Sequence, residues 1–445
     1  MAQTVLTRTP SGAGNRKTWT LSTWIKRAGL GNNIILEANS SGGSSNTNYI
    51  GANFGGGYQL VLGGWTSNFL ATTQFFRDVA AWYHIVIRVD TTLATADDRM
   101  RIYVNGEQVT DFGTRNNPGQ NDDTGLNAAV ETTIGKTLDG FMARTILADG
   151  QSYAPTEFGE TDSTTGIWKP KSFSGSYGTN GFKLDFGNSG ALGTDTSGNT
   201  NNFTVTNAGT NAQVKDTPTN VFVTSNPLQN GYPPTSNVVT LTQGNLTAKE
   251  TQSAWTPYDS TIATTSGKWY WECKNVSGSP ATGVMFGIQS QEGNDITGIF
   301  STDGRYPGYY ASRIGFSYHA SGTYYYNGTS TTTGSVAYTT GDIINFALDM
   351  DNGFLYAGKN GTWNNSGDPT SAGSGTGNVY SGFSGKPISS CNALNGTTIL
   401  TSLNFGNPPF TIASGNADAN GFGNFEYAVP SGYYALCTEN LNQYG

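Results

Sequence analysis

Histidine and cysteine are scarce in this chain: its 445 residues include two of the first and three of the second. Metal clusters built on imidazole and thiolate need several such residues at set spacings, and His84 and His319 have no neighbour at a ligand interval. Neither histidine lies near a Gly-x-Ser-x-Gly elbow, so a serine-histidine hydrolase is not written here. Cys273, Cys391 and Cys437 form no spaced framework and read as reduced core residues. Charge is also thin. Lys and Arg number 23 against 31 Asp and Glu, for a net charge of −8, and no basic run occurs. Nucleic-acid binding, which draws on a basic patch, is therefore not expected. No stretch approaches the roughly 18 apolar residues of a membrane span. The opening Met1 to Arg8 lacks the apolar run of a signal peptide, so synthesis in a cytoplasm without membrane insertion is expected.

What the chain has in quantity is glycine (60), tyrosine (23) and phenylalanine (22), in a Ser/Thr/Asn-rich background. Short strands joined by tight turns use this composition, and the fold class that follows is all-β, with two antiparallel β-sandwich domains. A length of 445 residues suits two domains of about 200 residues each. In the first half, Trp19 to Arg27 alternates Trp19, Leu21, Thr23 and Ile25 against Thr20, Ser22, Trp24 and Lys26, the pattern of a strand with one buried face. Trp82 to Asp90 sets Tyr83, Ile85, Ile87 and Val89 on one side, and Asn105-Gly106 closes a hairpin after Arg99 to Val104. A short helical turn is expected at Pro155 to Phe158.

Between Asn207 and Asn237 the alternation weakens and prolines gather at 218, 227, 233 and 234, which reads as a connector. The expected divisions are 1–206, a connector at 207–240, and 241–445. The second half restarts with Lys268 to Lys274, whose Trp269, Trp271 and Cys273 share a face. Ile343 to Met350 then alternates cleanly, and turns at Asp351-Asn352-Gly353 and Asn360-Gly361 give two hairpins in quick succession.

These segments resemble known families. TLSTWIKRA, WYHIVIRVD, MRIYVNGEQV and IGKTLDGFMA, between Trp19 and Gly150, look like a laminin-G-like, concanavalin-type jelly roll. GKWYWECK, GDIINFALDMDNGFLYAGKNGTW and LNFGNPPF, between Gly267 and Phe410, resemble a SPRY domain. Phe158 to Asn207, with the closing Pro430 to Thr438, is similar to structural proteins of marine tailed phages, in which these two modules stand side by side. That likeness implies a virion location, other virion proteins as partners, homo-oligomerisation, and a host surface glycan or receptor as the external ligand. It leaves open tail appendage against capsid decoration, cement or head fibre, and no coiled-coil or β-helical shaft is visible.

The concanavalin-type fold also hosts glucanases, but no Glu-x-Asp-x-x-Glu run places two carboxylates on one strand, so no catalytic residue is assigned. Asp97-Asp98 and Asp122-Asp123 read as solvated turns. The loop Asp195-Thr196-Ser197-Gly198-Asn199-Thr200-Asn201 offers oxygens around a glycine, with Asp195, Asn199 and Asn201 as calcium ligands. It resembles a turn at the edge of laminin-G-like domains, and a metal-free Asx turn is the competing reading. Sugar binding stacks aromatic faces on the apolar faces of sugar rings, and the aromatics near turns are Trp65, Phe69, Tyr306, Tyr309, Tyr310, Tyr324, Tyr326 and Trp363. The function expected is adhesion to a host glycan by many weak sites on one particle.

Overall fold

The computed structural model describes residues 3–38, 49–64, 68–209, 212–230, 239–250, 254–278, 283–292, 305–396 and 398–445. It is almost entirely β and divides into two compact units: residues 1–213 with 217–219, and residues 214–216 with 220–445.

The first unit is a sandwich of two antiparallel sheets. The larger runs Phe112–Arg115, Asn68–Phe75, Gln59–Gly63, Ile50–Phe54, Asn33–Ala38, Thr132–Ile134, Val5–Arg8 and Thr204–Thr206. The smaller runs Phe182–Leu184, Gly140–Asp149, Thr18–Arg27, Trp82–Asp90, Met100–Val104 and Glu107–Gln108. Trp19, Leu21, Ile25, Ile85 and Ile87 of the smaller sheet share one core with Leu36, Ala52, Leu62 and Leu70 of the larger. The Asn105-Gly106 hairpin has both turn residues at positive φ, 50° and 87°, the geometry this pair favours.

Thr18–Arg27 differs from the sequence expectation, because both of its faces are buried. Its outer side, bearing Ser22 and Trp24, lies under a second layer. Trp24 stacks on His84 at 4.6 Å, and Trp168, from the small Gly159–Thr161/Trp168–Pro170 hairpin, donates to His84. Beside it Tyr153, Phe158, Phe173 and Tyr177 pack with Val86, Tyr103 and Ile146 into a smaller outer core. Pro155–Glu157 is the expected short turn, a single 3₁₀ helix.

The second unit is also a sandwich. Its seven-stranded sheet runs Ser225–Asn230, Thr256–Ser260, Ile388–Leu394, Val284–Ser290, Gly315–His319, Tyr324–Tyr326 and Thr329–Thr331, all antiparallel. The facing sheet runs Thr240–Thr242, Thr247–Lys249, Leu400–Asn404, Lys268–Ser277, Ile343–Asp349, Phe354–Lys359 and Thr362–Trp363. Trp269, Trp271 and Cys273 do share the core face, with Phe286, Phe316 and Tyr318 among their cluster. One strand, Ser225–Asn230, comes from the stretch read as a connector, and Thr240–Thr242 begins at its last residue. Pro227 lies within the first of these strands, and Pro233 and Pro234 lie outside the described residues.

The other face of Lys268–Ser277 is buried as well. Glu272 is fully covered, and its carboxylate accepts from the backbone N–H groups of Glu426 and Tyr427, from Asn404 and from the Tyr270 hydroxyl. One buried acid thereby clips the late loops onto the sheet. The chain closes in a short helix, Thr438–Tyr444, which the residue pattern did not announce.

Candidate functional site

The strands Gly315–His319 and Tyr324–Tyr326 pair with Phe316 opposite Tyr326, Ser317 opposite Tyr325 and Tyr318 opposite Tyr324. Phe316 and Tyr318 point into the core. By the period-2 rule their partners Tyr326 and Tyr324 do too, and Tyr325 faces outward. Tyr324 is 2% exposed, and the Asn364 amide donates to the Tyr324 and Tyr318 hydroxyls at 2.9 and 3.0 Å. Tyr326 packs against the core beside Phe316 and Tyr380. These two tyrosines hold the sandwich together, Tyr324 buried and Tyr326 half-buried.

On the outer side of the same sheet, Tyr306, Tyr309 and Tyr310 come together, joined by Trp255, Tyr325 and His319. Ring centroids lie 5.1 Å apart for Trp255 and Tyr306, 5.1 Å for Tyr306 and Tyr325, 5.3 Å for Tyr306 and Tyr309, and 5.0 Å for Tyr309 and Tyr310. All four contacts are edge-on, an arrangement that fixes each ring by its neighbour's quadrupole. Two guanidinium groups lie over ring faces, Arg305 over Tyr309 at 4.8 Å and Arg313 over Tyr310 at 4.6 Å. Neither arginine forms an ion pair among the described residues, and Arg305 Nε and Arg313 Nη1 are buried without a hydrogen-bond partner. Their charge is met chiefly by aromatic faces.

Backbone contacts pin this loop to the sheet. Ser317 Oγ donates to the Pro307 carbonyl at 2.5 Å, and the Gly328 N–H to the Gly308 carbonyl at 3.1 Å. Gly308 has a φ of 81°, and a Cβ there would strike the Tyr325 carbonyl, so only glycine lets the loop lie this close. Burial, with Tyr325 and Tyr309 nearby, pushes the Tyr306 hydroxyl up to about 12. The Ser321 N–H donates to His319 Nδ1, and burial lowers the imidazole pKa. Around neutral pH the patch is therefore a rigid, uncharged aromatic surface carrying two cations. Its most accessible ring is Tyr309, 38% exposed.

The remaining candidates lie elsewhere. Trp65 is outside the described residues. Phe69 packs against the core of the first unit. Trp363 sits edge-on to Tyr270 and lines a separate shallow pocket of about 290 Å³ with Val336, Lys359 and Asn365. Trp255, Tyr325, Arg305 and Arg313 were not singled out from the residues. Nothing in the run Tyr324 to Tyr326 marks Tyr325, whose facing follows from the pairing with Phe316 and Tyr318; the signal for the arginines was their spacing of four and three residues from Tyr309 and Tyr310.

The Asp195 loop brings its three named residues together, in an arrangement that does not fit a hard cation. Asp195 accepts from the Lys183 and Ser197 N–H groups on one oxygen, and from Ser197 Oγ and the Asn201 N–H on the other, all at 2.8–2.9 Å. Four donors fill a carboxylate's four lone-pair sites. Asn199 and Asn201 turn their NH₂ groups toward the carbonyls of Gly178, Thr179 and Gly181, and Asn201 Oδ1 accepts from Arg8 at 2.5 Å. A guanidinium at the Asn201 amide oxygen repels a metal ion. The loop acts as an Asx turn that fastens it to the Phe182–Leu184 edge.

Solved structures similar to the chain include the SPRY domain of human HERC1 (16% identity over 40% of this chain and 96% of that one, TM-score 0.31). Others are the TRIM65 PSpry domain (13%, 41% and 89%, TM-score 0.28) and a heptameric SAP-like pentraxin from Limulus polyphemus (17%, 34% and 72%, TM-score 0.26). Comparison with curated proteins finds no match. Residues 3–144, within the first unit, match the family model of the concanavalin A-like lectin/glucanases superfamily, a lectin-type fold consistent with binding a glycan or a protein ligand.

Proposed function

We propose that this chain is a non-catalytic binding protein of a phage virion surface, which attaches to host saccharide through the outer aromatic–arginine patch of its second unit. The observation that carries this reading is the exposed Tyr309 ring, held edge-on by Tyr306 and Tyr310 and covered on one face by Arg305. A sugar's apolar face stacks on such a ring without first having to order it. The loop on which it sits is clamped, and the two arginines can donate to sugar hydroxyl or acidic oxygens. The virion placement rests on the likeness of Phe158 to Asn207 and Pro430 to Thr438 to phage structural proteins.

Non-catalytic action is supported by His84. Trp168 Nε1 can only donate, so His84 Nδ1 accepts and its single proton lies on Nε2, facing Ser22 Oγ at 2.8 Å. Such an imidazole cannot take the serine proton.

The test is a saccharide array with the intact chain immobilised at high density, followed by titration. Retention of a host-type glycan is expected, with a monovalent affinity in roughly the micromolar to millimolar range amplified by multivalency. Tyr309→Ala should weaken it about tenfold, consistent with about 1–1.5 kcal/mol for an aromatic contact. No retained glycan, together with labelled protein tiled in high copy over the capsid shell, would replace adhesion with shell decoration.

A further inference from the structure

A different feature of the first unit points to a second ligand. Strand Gly140–Asp149 carries a β-bulge: its pairing with Thr18–Arg27 shifts register between Ala143 and Ile146. Met142 packs against the core, so strict alternation would send Arg144 inward as well. The bulge instead puts Arg144 at a φ of 45°, a left-handed conformation seldom taken by a side chain of this size, and leaves it exposed. Arg144 makes no hydrogen bond or ion pair among the described residues. No hydrogen bond or ion pair to the guanidinium among the described residues repays that backbone conformation.

The same arginine lines a pocket of about 330 Å³ with Lys171, Lys183, Asp185, Ile146 and Phe173. Three cations face one carboxylate there, although the chain as a whole carries −8. Asp185 pairs with Lys183 at 3.0 Å and accepts from Thr196 at 2.7 Å, and Lys171 donates to the Thr156 carbonyl at 3.0 Å. Arg144 alone is uncommitted. The apolar wall is preset: Phe173 stacks on Phe158 at 4.8 Å and meets Tyr153 and Tyr177 edge-on. A volume near 300 Å³ is at the small end of ligand sites. It suits a single ring bearing an anionic group.

We infer that this pocket binds an acidic sugar residue, with Arg144 and Lys171 on its carboxylate or sulfate and Phe173 against the ring. Strain at a ligand-facing position is a recognised cost of function, and it supplies the sharpest test. Glycine takes a φ of 45° without penalty, so Arg144→Gly should raise the melting temperature of the intact chain while removing the ligand contact.

Binding is measured by saturation-transfer NMR on the full chain carrying Tyr309→Ala, which keeps the aromatic patch from contributing. The probes are methyl glucuronide, its sulfated counterpart, neutral methyl glucoside and inorganic sulfate. At least one of the two acidic sugars should bind, weaken as salt is raised, and lose tenfold or more affinity in Arg144→Gly and in Lys171→Ala; the neutral sugar should not bind. The proposal is overturned if neither acidic sugar binds, if Arg144→Gly binds as before, or if that variant melts lower than its parent. Inorganic sulfate binding as tightly as the better acidic sugar would also overturn it, by showing that the ring is not recognised.

Discussion

Ser22, His84 and Trp168 show how neighbours decide what a residue can do. A serine 2.8 Å from an imidazole looks like half of a catalytic pair. The tryptophan on the other nitrogen fixes the tautomer that cannot act as base, and burial holds the imidazole pKa down to about 3. Trp168→Phe would strand a buried acceptor, which costs about 1–3 kcal/mol, and a urea midpoint on the intact chain should fall accordingly. Serine-directed fluorophosphonate should leave the buried Ser22 unlabelled in the parent chain. Asp195 works the same way. Asp195→Ala removes an acceptor of four hydrogen bonds and is expected to cost on the order of 2–3 kcal/mol. Adding calcium or a chelator should leave the midpoint of the parent chain where it was. A calcium-dependent rise of several degrees would reinstate the metal reading.

At the scale of strands, much of this fold can be read from residue patterns, and where it cannot the reasons are physical. Thr18–Arg27, Trp82–Asp90 and Ile343–Asp349 advertise themselves by alternation, and the Asn-Gly turns at 105–106, 327–328 and 360–361 all adopt positive φ at both residues. What alternation conceals is a second covering layer. Trp24 and Glu272 sit at positions that a one-sided sheet would leave in water, and loops from far along the chain bury them. Tyr324–Tyr326 is harder still, because three identical residues in a row carry no parity. Only the pairing with Phe316 and Tyr318 reveals that the middle ring belongs to the surface.

That register makes opposite predictions for neighbouring residues. Tyr324→Phe should lower stability by about 1 kcal/mol through the lost hydrogen bond from Asn364, with glycan retention unchanged. Tyr325→Ala should weaken retention through loss of the ring that props Tyr306, at a smaller cost to the fold. Denaturant midpoints and array binding for the two variants, side by side, decide it. A stability loss in Tyr325→Ala larger than that of Tyr324→Phe, without a binding loss, would reverse the facing assigned here.

Over the whole molecule, the two units carry separate cores, and one buried group in each responds to pH in the opposite sense. In the first, burial lowers the His84 pKa from 6.5 to about 3. Between those values the unfolded chain binds the proton and the folded unit does not, so this contribution to stability is present above 6.5 and is lost as pH falls toward 3. In the second unit, burial raises the Asp259 carboxyl from 3.8 to about 7, although Ser389, the Ser260 N–H and Gln291 all favour its charged form. Here the folded state holds the proton that the unfolded chain releases. The stabilising effect is complete below 3.8 and disappears as pH rises through 7. Each tenfold change in proton affinity is worth about 1.4 kcal/mol, which makes both effects large enough to follow by calorimetry. Between pH 4 and pH 7, Asp259→Asn should flatten the pH slope of one thermal transition and leave the other alone, because asparagine keeps the neutral form at every pH. His84→Gln should act only on the other transition. If both substitutions moved the same transition, or if Asp259→Asn left every slope intact, the burial of these two groups could not be governing the pH response of the units that contain them.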